Sequence, residues 1–411
     1  MTLRPERTVE ELKELRALTG DSEGAQRVAF TEVWAKARGW LRGKLEGVPG
    51  VEVHRDAAGN LWGTLRGKSE KAVLIGGHID SVPNGGWLDG CLNTLAGVEI
   101  LRGIAAAFPE GPPMTVRVVD WADEEGARFG RSLFGSSAFS GALVLEEVRG
   151  LKDKAGVGLP EALASQGIEF ERVLEAGAER AGAAAYVELH IEQGPVLESL
   201  GLPLGVVLGT FGVERHEVTF TGQAAHSGST PMGHRRDALG GVSKLHLAVR
   251  EIAVRHGGVC TVGSVVTKPG IVTAVVGGAV MTLDQRHLDA GALAKMHAEA
   301  REASERIAAE EKIGVEWKKL WAIQPFPFDG KLIEMADAAV RGVCGASHRL
   351  PSGPLHDAAE VCRTGIPTVM LFVQSLRGIS HNRIEDTKEE HLEMAVRALN
   401  GLVRKIVTGE S

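Results

Sequence analysis

An apolar run, Ala72 to Ile75, breaks at two glycines and then delivers His78 and Asp80. From Ile75 the chain reads Ile-Gly-Gly-His-Ile-Asp-Ser-Val-Pro-Asn-Gly-Gly-Trp-Leu-Asp, ending at Asp89. Such a run predicts a buried parallel strand whose carboxyl end opens into a loop. Open α/β sheets place their sites at that edge. Residues two apart on an extended strand share a face, so Asp80 can brace the ring of His78. Asp89 arrives just before a helical pattern, Leu92 to Phe108. A helix amino terminus there helps keep its carboxylate ionised. Taken singly, His78 could simply cap a strand and Asp89 a helix. Together they form half of a metal site, and the rest of the chain decides.

A chain of 411 residues exceeds one ordinary core and suggests two domains. Hydrophobic content of 44% and charged content of 24% describe a soluble globular protein. A net charge of −7 and a pI near 6.1 give no reason to expect nucleic acid or an anionic membrane as partner. Cys91, Cys260, Cys344 and Cys362 are scattered without a CxxC spacing, as in reduced thiols of a cytoplasmic protein. The first residues are charged and lack an apolar signal core, and no apolar run reaches membrane-spanning length.

Residues 1–50 are helical in pattern, with Phe30, Val33, Trp34, Ala37, Trp40 and Leu41 at three- and four-residue spacing. Val51–His54 and Leu61–Leu65 read as two strands joined by a turn. Thr115–Trp121 predicts another strand, ending in Asp123-Glu124-Glu125-Gly126. Residues 138–184 read as helices and loops with little chemistry, and Ala185–Leu189 as a strand leading into His190. The pattern changes beyond Gly205. Strand Val213–Phe220, helix Asp237–Arg255, strands Val259–Thr267 and Ala274–Arg286, helix Ala290–Glu310 and strand Val315–Trp321 follow. That β-α-β-β-α-β order marks a small open-faced sandwich inserted into the first domain. The α/β pattern then resumes with helix Gly330–Cys344, strand Thr368–Val373 and helix Glu390–Val407.

Eight polar groups fall just past predicted sheet strands: His78, Asp80, Asp89, Glu124, Glu125, His190, His356 and His381. Imidazoles and carboxylates without a thiolate suit zinc, manganese, cobalt or nickel. With so many ligands two divalent ions are more natural than one, Asp89 bridging them. Adjacent Glu124 and Glu125 cannot both point the same way if extended. One can bind metal while the other faces substrate as general base, then as acid to the leaving amine.

These motifs resemble the two-metal amidases that include N-carbamoyl-L-amino-acid hydrolases, β-ureidopropionase and allantoate amidohydrolase, relatives of aminoacylases and carboxypeptidase-like dipeptidases. The resemblance covers nearly the whole chain. It rests on Gly-His78-Ile-Asp80-Ser-Val-Pro-Asn-Gly-Gly with Asp89-Gly, Asp-Glu124-Glu125-Gly-Ala-Arg-Phe, and Glu-Leu-His190-Ile-Glu-Gln193-Gly. It continues through His226-Ser-Gly-Ser-Thr-Pro, Asp284-Gln-Arg286-His, His356-Asp and Gly-Ile-Ser-His381-Asn. It implies a mixed-sheet, metallopeptidase-like catalytic domain over 1–208 and 325–411. An inserted ferredoxin-like lid and dimerisation domain would occupy 209–324 and form a homodimer. The resemblance assigns His78, Asp89 and His190 to one ion and Asp89, Glu125 and His381 to the other. Glu124 would be the general base, supported by Asp80. Gln193, His226 and Arg286 match substrate-contacting positions, and His226 would reach the partner subunit's active site. Arg286 offers a planar fork suited to a substrate carboxylate, although pairing with Asp284 on the surface is the plainer use.

Three departures lie on the substrate side. Thr273 stands where an asparagine is usual, the Glu214-Arg215 segment differs from a Gln-Arg-rich version, and Leu355 replaces a glycine before His356. The resemblance therefore implies hydrolysis of the carbamoyl, or similar linear amide, C–N bond of a small carboxylate substrate. An aminoacylase or dipeptidase is the alternative. A catalytically silent relative would have lost Glu124 or a ligand, and none is lost.

Overall fold

The computed structural model describes residues 3–409. Helix α1 (Pro5–Thr19) starts on a proline, whose fixed φ suits the first turn. Helix α2 (Glu32–Glu46) is capped by Thr31, whose hydroxyl accepts from Trp34 N. Strands β1 (Val51–Arg55), β2 (Leu61–Leu65) and β3 (Ala72–His78) follow, then helix α3 (Cys91–Ala107). Strands β4 (Thr115–Trp121), β5 (Ala183–Ile191) and β6 (Leu204–Thr210) complete this part, with short helical segments between β4 and β5. The chain then forms β7 (Gly212–Thr221), α4 (Ala238–His256), β8 (Val259–Lys268), β9 (Gly278–His287), α5 (Ala290–Glu311) and β10 (Gly314–Ile323). It closes with β11 (Phe326–Pro327), α6 (Gly330–Cys344), β12 (His348–Ser352), α7 (Asp357–Arg363), β13 (Thr368–Val373) and α8 (Glu389–Thr408).

Two compact units result. Gly209–Pro327 forms one, and the segments up to Leu208 and from Phe328 form the other. In the discontinuous unit eight strands make a mixed sheet ordered β6-β13-β5-β3-β4-β2-β1, with β12 alongside β6. The four central strands β13, β5, β3 and β4 run parallel; β6 and β2 run antiparallel to them, and β1 pairs antiparallel with β2. Every residue of β3, β4 and β13 is buried, as expected of strands covered on both faces. Helix α3 is buried along most of its length and packs against β3, α1 and α8. Because the central strands are parallel, their carboxyl ends share one edge of the sheet.

The inserted unit is an antiparallel sheet ordered β8-β9-β7-β10, with α4 and α5 packed on one face. Val218, Phe220, Leu245, Met281 and Met296 lie in its core. The expected strand Ala274–Arg286 is interrupted. Ala274–Val275 pairs instead with Ala225–His226, and β9 begins at Gly278. A Cβ at Gly277 would sit 2.6 Å from Ala224 N, so the close crossing that divides the strand needs glycine there. Strand β6 went unread because Gly205 and Gly209 interrupt its apolar run. Strand β12 and helix α7 were likewise unread.

Candidate metal and catalytic centre

Strand β3 ends at His78, which is 1% exposed. Its Nδ1 lies 3.1 Å from the main-chain oxygen of Asp80. A carbonyl only accepts, so Nδ1 carries the proton and Nε2 presents a lone pair. The same logic applies to His190 near the end of β5, whose Nδ1 lies 2.8 Å from Ile191 O. The brace on His78 is thus a peptide carbonyl. The carboxylate of Asp80, 3.7 Å from the ring at its nearest, accepts the Glu124 and Glu125 N–H groups at 3.2 Å each. The reason is local: β3 stops at His78, so Asp80 has left the extended geometry that would have aligned the two side chains.

Asp89 sits in the loop before α3. Gly90 follows with φ of +64°, and a Cβ there would strike the His78 ring at 2.4 Å, so only glycine lets the loop pass. Asp89 Oδ1 lies 3.0 Å from His190 Nε2 and 3.8 Å from His78 Nε2. Its Oδ2 lies 3.4 Å from His381 Nε2 and 2.9 Å from the Gln193 amide nitrogen. Glu124 Oε2 is 3.7 Å from His78 Nε2, and Glu125 Oε2 is 3.3 Å from His381 Nε2. His78, Asp89 and His190 form one group with ligand atoms within 4.8 Å; Asp89, Glu125 and His381 form another. His78 with Glu124 and Glu125 meets the same limit. Asp123, Gln193 and His381 all adopt left-handed backbone conformations (φ +57°, +56° and +54°), a strain that clusters at functional sites.

The electrostatics call for positive charge. Burial first, and neighbouring carboxylates second, push Glu124 and Glu125 well above the ordinary carboxylate range. Burial opposes the charge on Asp89, but His190, His381 and His78 outweigh it and hold its carboxyl well below the usual value. Burial lowers His78 to about 4, so it is neutral at pH 7. Burial also opposes charge on His190, yet the adjoining Asp89 lifts it to about 9. A proton, or a metal ion displacing it, can therefore serve Asp89. His78 Nε2 and Glu125 Oε1 are buried and have no hydrogen-bond partner among the described residues. Nitrogen and oxygen donors with free lone pairs around a crowd of carboxylates fit divalent cations.

This arrangement accords with the comparisons to known proteins. Residues 74–405 match the family described as Peptidase family M20/M25/M40. The chain belongs to that family. It is 34% identical over 397 residues to an N-carbamoyl-L-amino acid amidohydrolase of Geobacillus stearothermophilus, covering 95% of each chain. It is 34% identical over 385 residues to an allantoate amidohydrolase of Escherichia coli (strain K12), covering 92% of this chain and 91% of that one. A crystal structure of a hydantoinase/carbamoylase family amidase from Burkholderia multivorans is similar at a TM-score of 0.88 and 32% identity, covering 98% of both chains. The family resemblance read from the motifs is borne out.

Within this M20/M25/M40 chain, His226, Thr273 and Arg286 belong to the inserted unit and the other candidates to the discontinuous one. Ser227 N donates to Thr273 O at 2.9 Å, so His226 and Thr273 are neighbours. His226 Nδ1 accepts the Gly228 and Ser229 N–H groups at 3.1 and 3.2 Å, which leaves the proton on Nε2. Arg286 is paired with Asp284 at 2.7 Å, and Arg215 shares that carboxylate at 2.6 Å. The His356 ring lies 4.3 Å from that of His190, tilted by 53°, and its buried Nε2 has no hydrogen-bond partner among the described residues. Sequence reasoning missed Ser380, whose hydroxyl lies 3.0 Å from Asp89 Oδ2, and Glu385, which accepts Asp89 N at 3.1 Å. The only signal for Glu385 was Gly86, which makes room for it. Among the described residues no helix is long and apolar enough to cross a membrane.

Proposed function

We propose that the protein is a two-metal amidohydrolase that cleaves the carbamoyl, or a similar linear amide, C–N bond of a small carboxylate-bearing substrate. The observation that carries this reading is Asp89, with His190 at one oxygen and His381 at the other. His78, Asp89 and His190 would hold one ion, and Asp89, Glu125 and His381 a second. Zinc, manganese, cobalt or nickel bound there would supply Lewis acidity and acidify water.

Glu124 takes the proton from the attacking water and passes it to the leaving nitrogen. A C–O bond forms and the C–N bond breaks, so a ureido substrate yields ammonia, carbon dioxide and the free amine. The carboxylate of Asp80 fixes the peptide that carries Glu124, which supports its role as a positioning group. The Nε2–H of His226 is a donor suited to the developing oxyanion. Arg286, Thr273 and the Gln193 amide are the proposed substrate contacts, Arg286 through a carboxylate.

The reading includes a homodimer joined through the inserted unit. Its edge strand β8 exposes Val265 and Val266, and α4 exposes Leu247 and Val254. Among the described residues no disulfide forms, which supports a reducing, cytoplasmic setting. The test is product analysis on a panel of N-carbamoyl amino acids, N-acyl amino acids and dipeptides. Ammonia released with the free amino acid from the carbamoyl set is expected. Turnover confined to acyl or peptide bonds would overturn the substrate class.

A further inference from the structure

Glu385 lies between His381 and α8, and only 2% of it is exposed. Its Oε1 accepts the N–H groups of Leu88 and Asp89, at 3.1 Å each. Its Oε2 accepts from the Ser380 hydroxyl at 2.9 Å. That hydroxyl is also 3.0 Å from Asp89 Oδ2, and its oxygen accepts from Gln193 Nε2 at 3.0 Å. One carboxylate thus ties the loop carrying Asp89 to the loop carrying His381. The adjoining Asp386 adds a second tie, accepting from Trp87 Nε1 at 3.3 Å.

Gly86 shows how tightly the chain is built around this group. A Cβ at position 86 would fall 2.0 Å from Glu385 Oε1 and 2.1 Å from its Cδ. Three hydrogen bonds pin that carboxylate, so it cannot swing away. Among the described residues no lysine, arginine or histidine lies within 4.0 Å of it. A neutral amide could accept the two N–H groups equally well. Burial first, and the Asp89 charge second, push the Glu385 carboxyl up to about 7, so a carboxylate is costly to hold here and bracing alone does not explain a glutamate.

We propose that Glu385 is a positioning residue for the His381 side of the metal pair. It sets the Asp89 carboxylate through the main chain and Ser380, and its charge deepens the negative potential that holds the second cation. This rests on the two-metal reading and deepens it. Charge and shape are separable: glutamine keeps the acceptor for Leu88 and Asp89 but removes the charge.

The test is cobalt binding by the full-length protein, demetallated and then titrated with cobalt(II). Ion stoichiometry and the cobalt absorption spectrum are read alongside turnover. Wild type is expected to bind two ions. Glu385→Gln should bind the first normally and the second at least tenfold more weakly, with kcat recovering at excess cobalt. Ser380→Ala leaves the buried charge alone but cuts one link to Asp89, and should also weaken the second ion selectively. It carries the test if Glu385→Gln does not fold. Two ions bound with wild-type affinity in either folded variant overturn the assignment. Wild-type protein that binds no cobalt overturns the two-metal reading itself, and this inference with it.

Discussion

Glu124 and Glu125 are adjacent in the chain, yet their carboxylates serve different histidines. Oε2 of Glu124 is 3.7 Å from His78 Nε2, and Oε2 of Glu125 is 3.3 Å from His381 Nε2. Asp80 makes the divergence stable by accepting both of their N–H groups, so the peptide between them cannot rotate.

A separation of labour should therefore appear in variants. Glu124→Gln keeps side-chain size and should retain metal while kcat falls by about 10²–10⁴-fold, the usual worth of general catalysis. Glu125→Gln should lower metal occupancy. Metal analysis and steady-state kinetics on both variants check this; the opposite pattern would reverse the two roles.

A second expectation concerns stability and pH, away from the centre. Glu179 bonds to His54 at 2.8 Å and to Arg117. Burial works against its charge, but those two partners outweigh it and hold the carboxyl at about 2. A depressed carboxyl contributes stability above its unfolded pKa near 4.5 and loses it as pH falls toward 2. Glu179→Gln should cost about 1 kcal/mol at pH 6, allowing for solvent screening of a half-exposed pair. In urea unfolding the gap between variant and wild type should close between pH 4.5 and 2. A gap that does not change with pH would show that the charge contributes nothing.

Thr273 is exposed on the loop before Ala274, beside the His226 segment. If its short hydroxyl sets substrate preference, Thr273→Asn should raise turnover of a common ureido acid such as N-carbamoyl-β-alanine. Kinetics that stay unchanged or worsen on every ureido acid would clear that position of blame.

His226 can be tested by mixing subunits. Homodimers of Glu124→Gln and of His226→Ala should both be nearly inactive. In a heterodimer one composite site carries both lesions and the other neither, so co-refolding should restore up to about half of wild-type activity per heterodimer. Confirmed heterodimers that remain inactive would show that His226 acts within its own subunit or not at all.

Much of the fold was legible because the parallel strands announce themselves. Thr115–Trp121 and Thr368–Val373 are short runs rich in β-branched and aromatic residues and buried on both faces, and both match the structure at each end. Motifs that end such strands, His78 and Asp-Glu124-Glu125, were legible for the same reason. Strand β6 was hidden by Gly205 and Gly209, where neighbouring chains pass too close for a side chain. Glu385 was illegible for another reason. It sits in a polar turn, and its partners Leu88 and Asp89 lie almost 300 residues away, so only tertiary pairing reveals its burial.

The central claim is that these imidazoles and carboxylates act by holding divalent ions. The most direct measurement is ammonia release from an N-carbamoyl amino acid by chelator-stripped protein, with metal content verified, before and after adding manganese, cobalt or zinc. The stripped protein should be inactive and should regain turnover on metal addition. Full activity in verified metal-free protein would contradict the account.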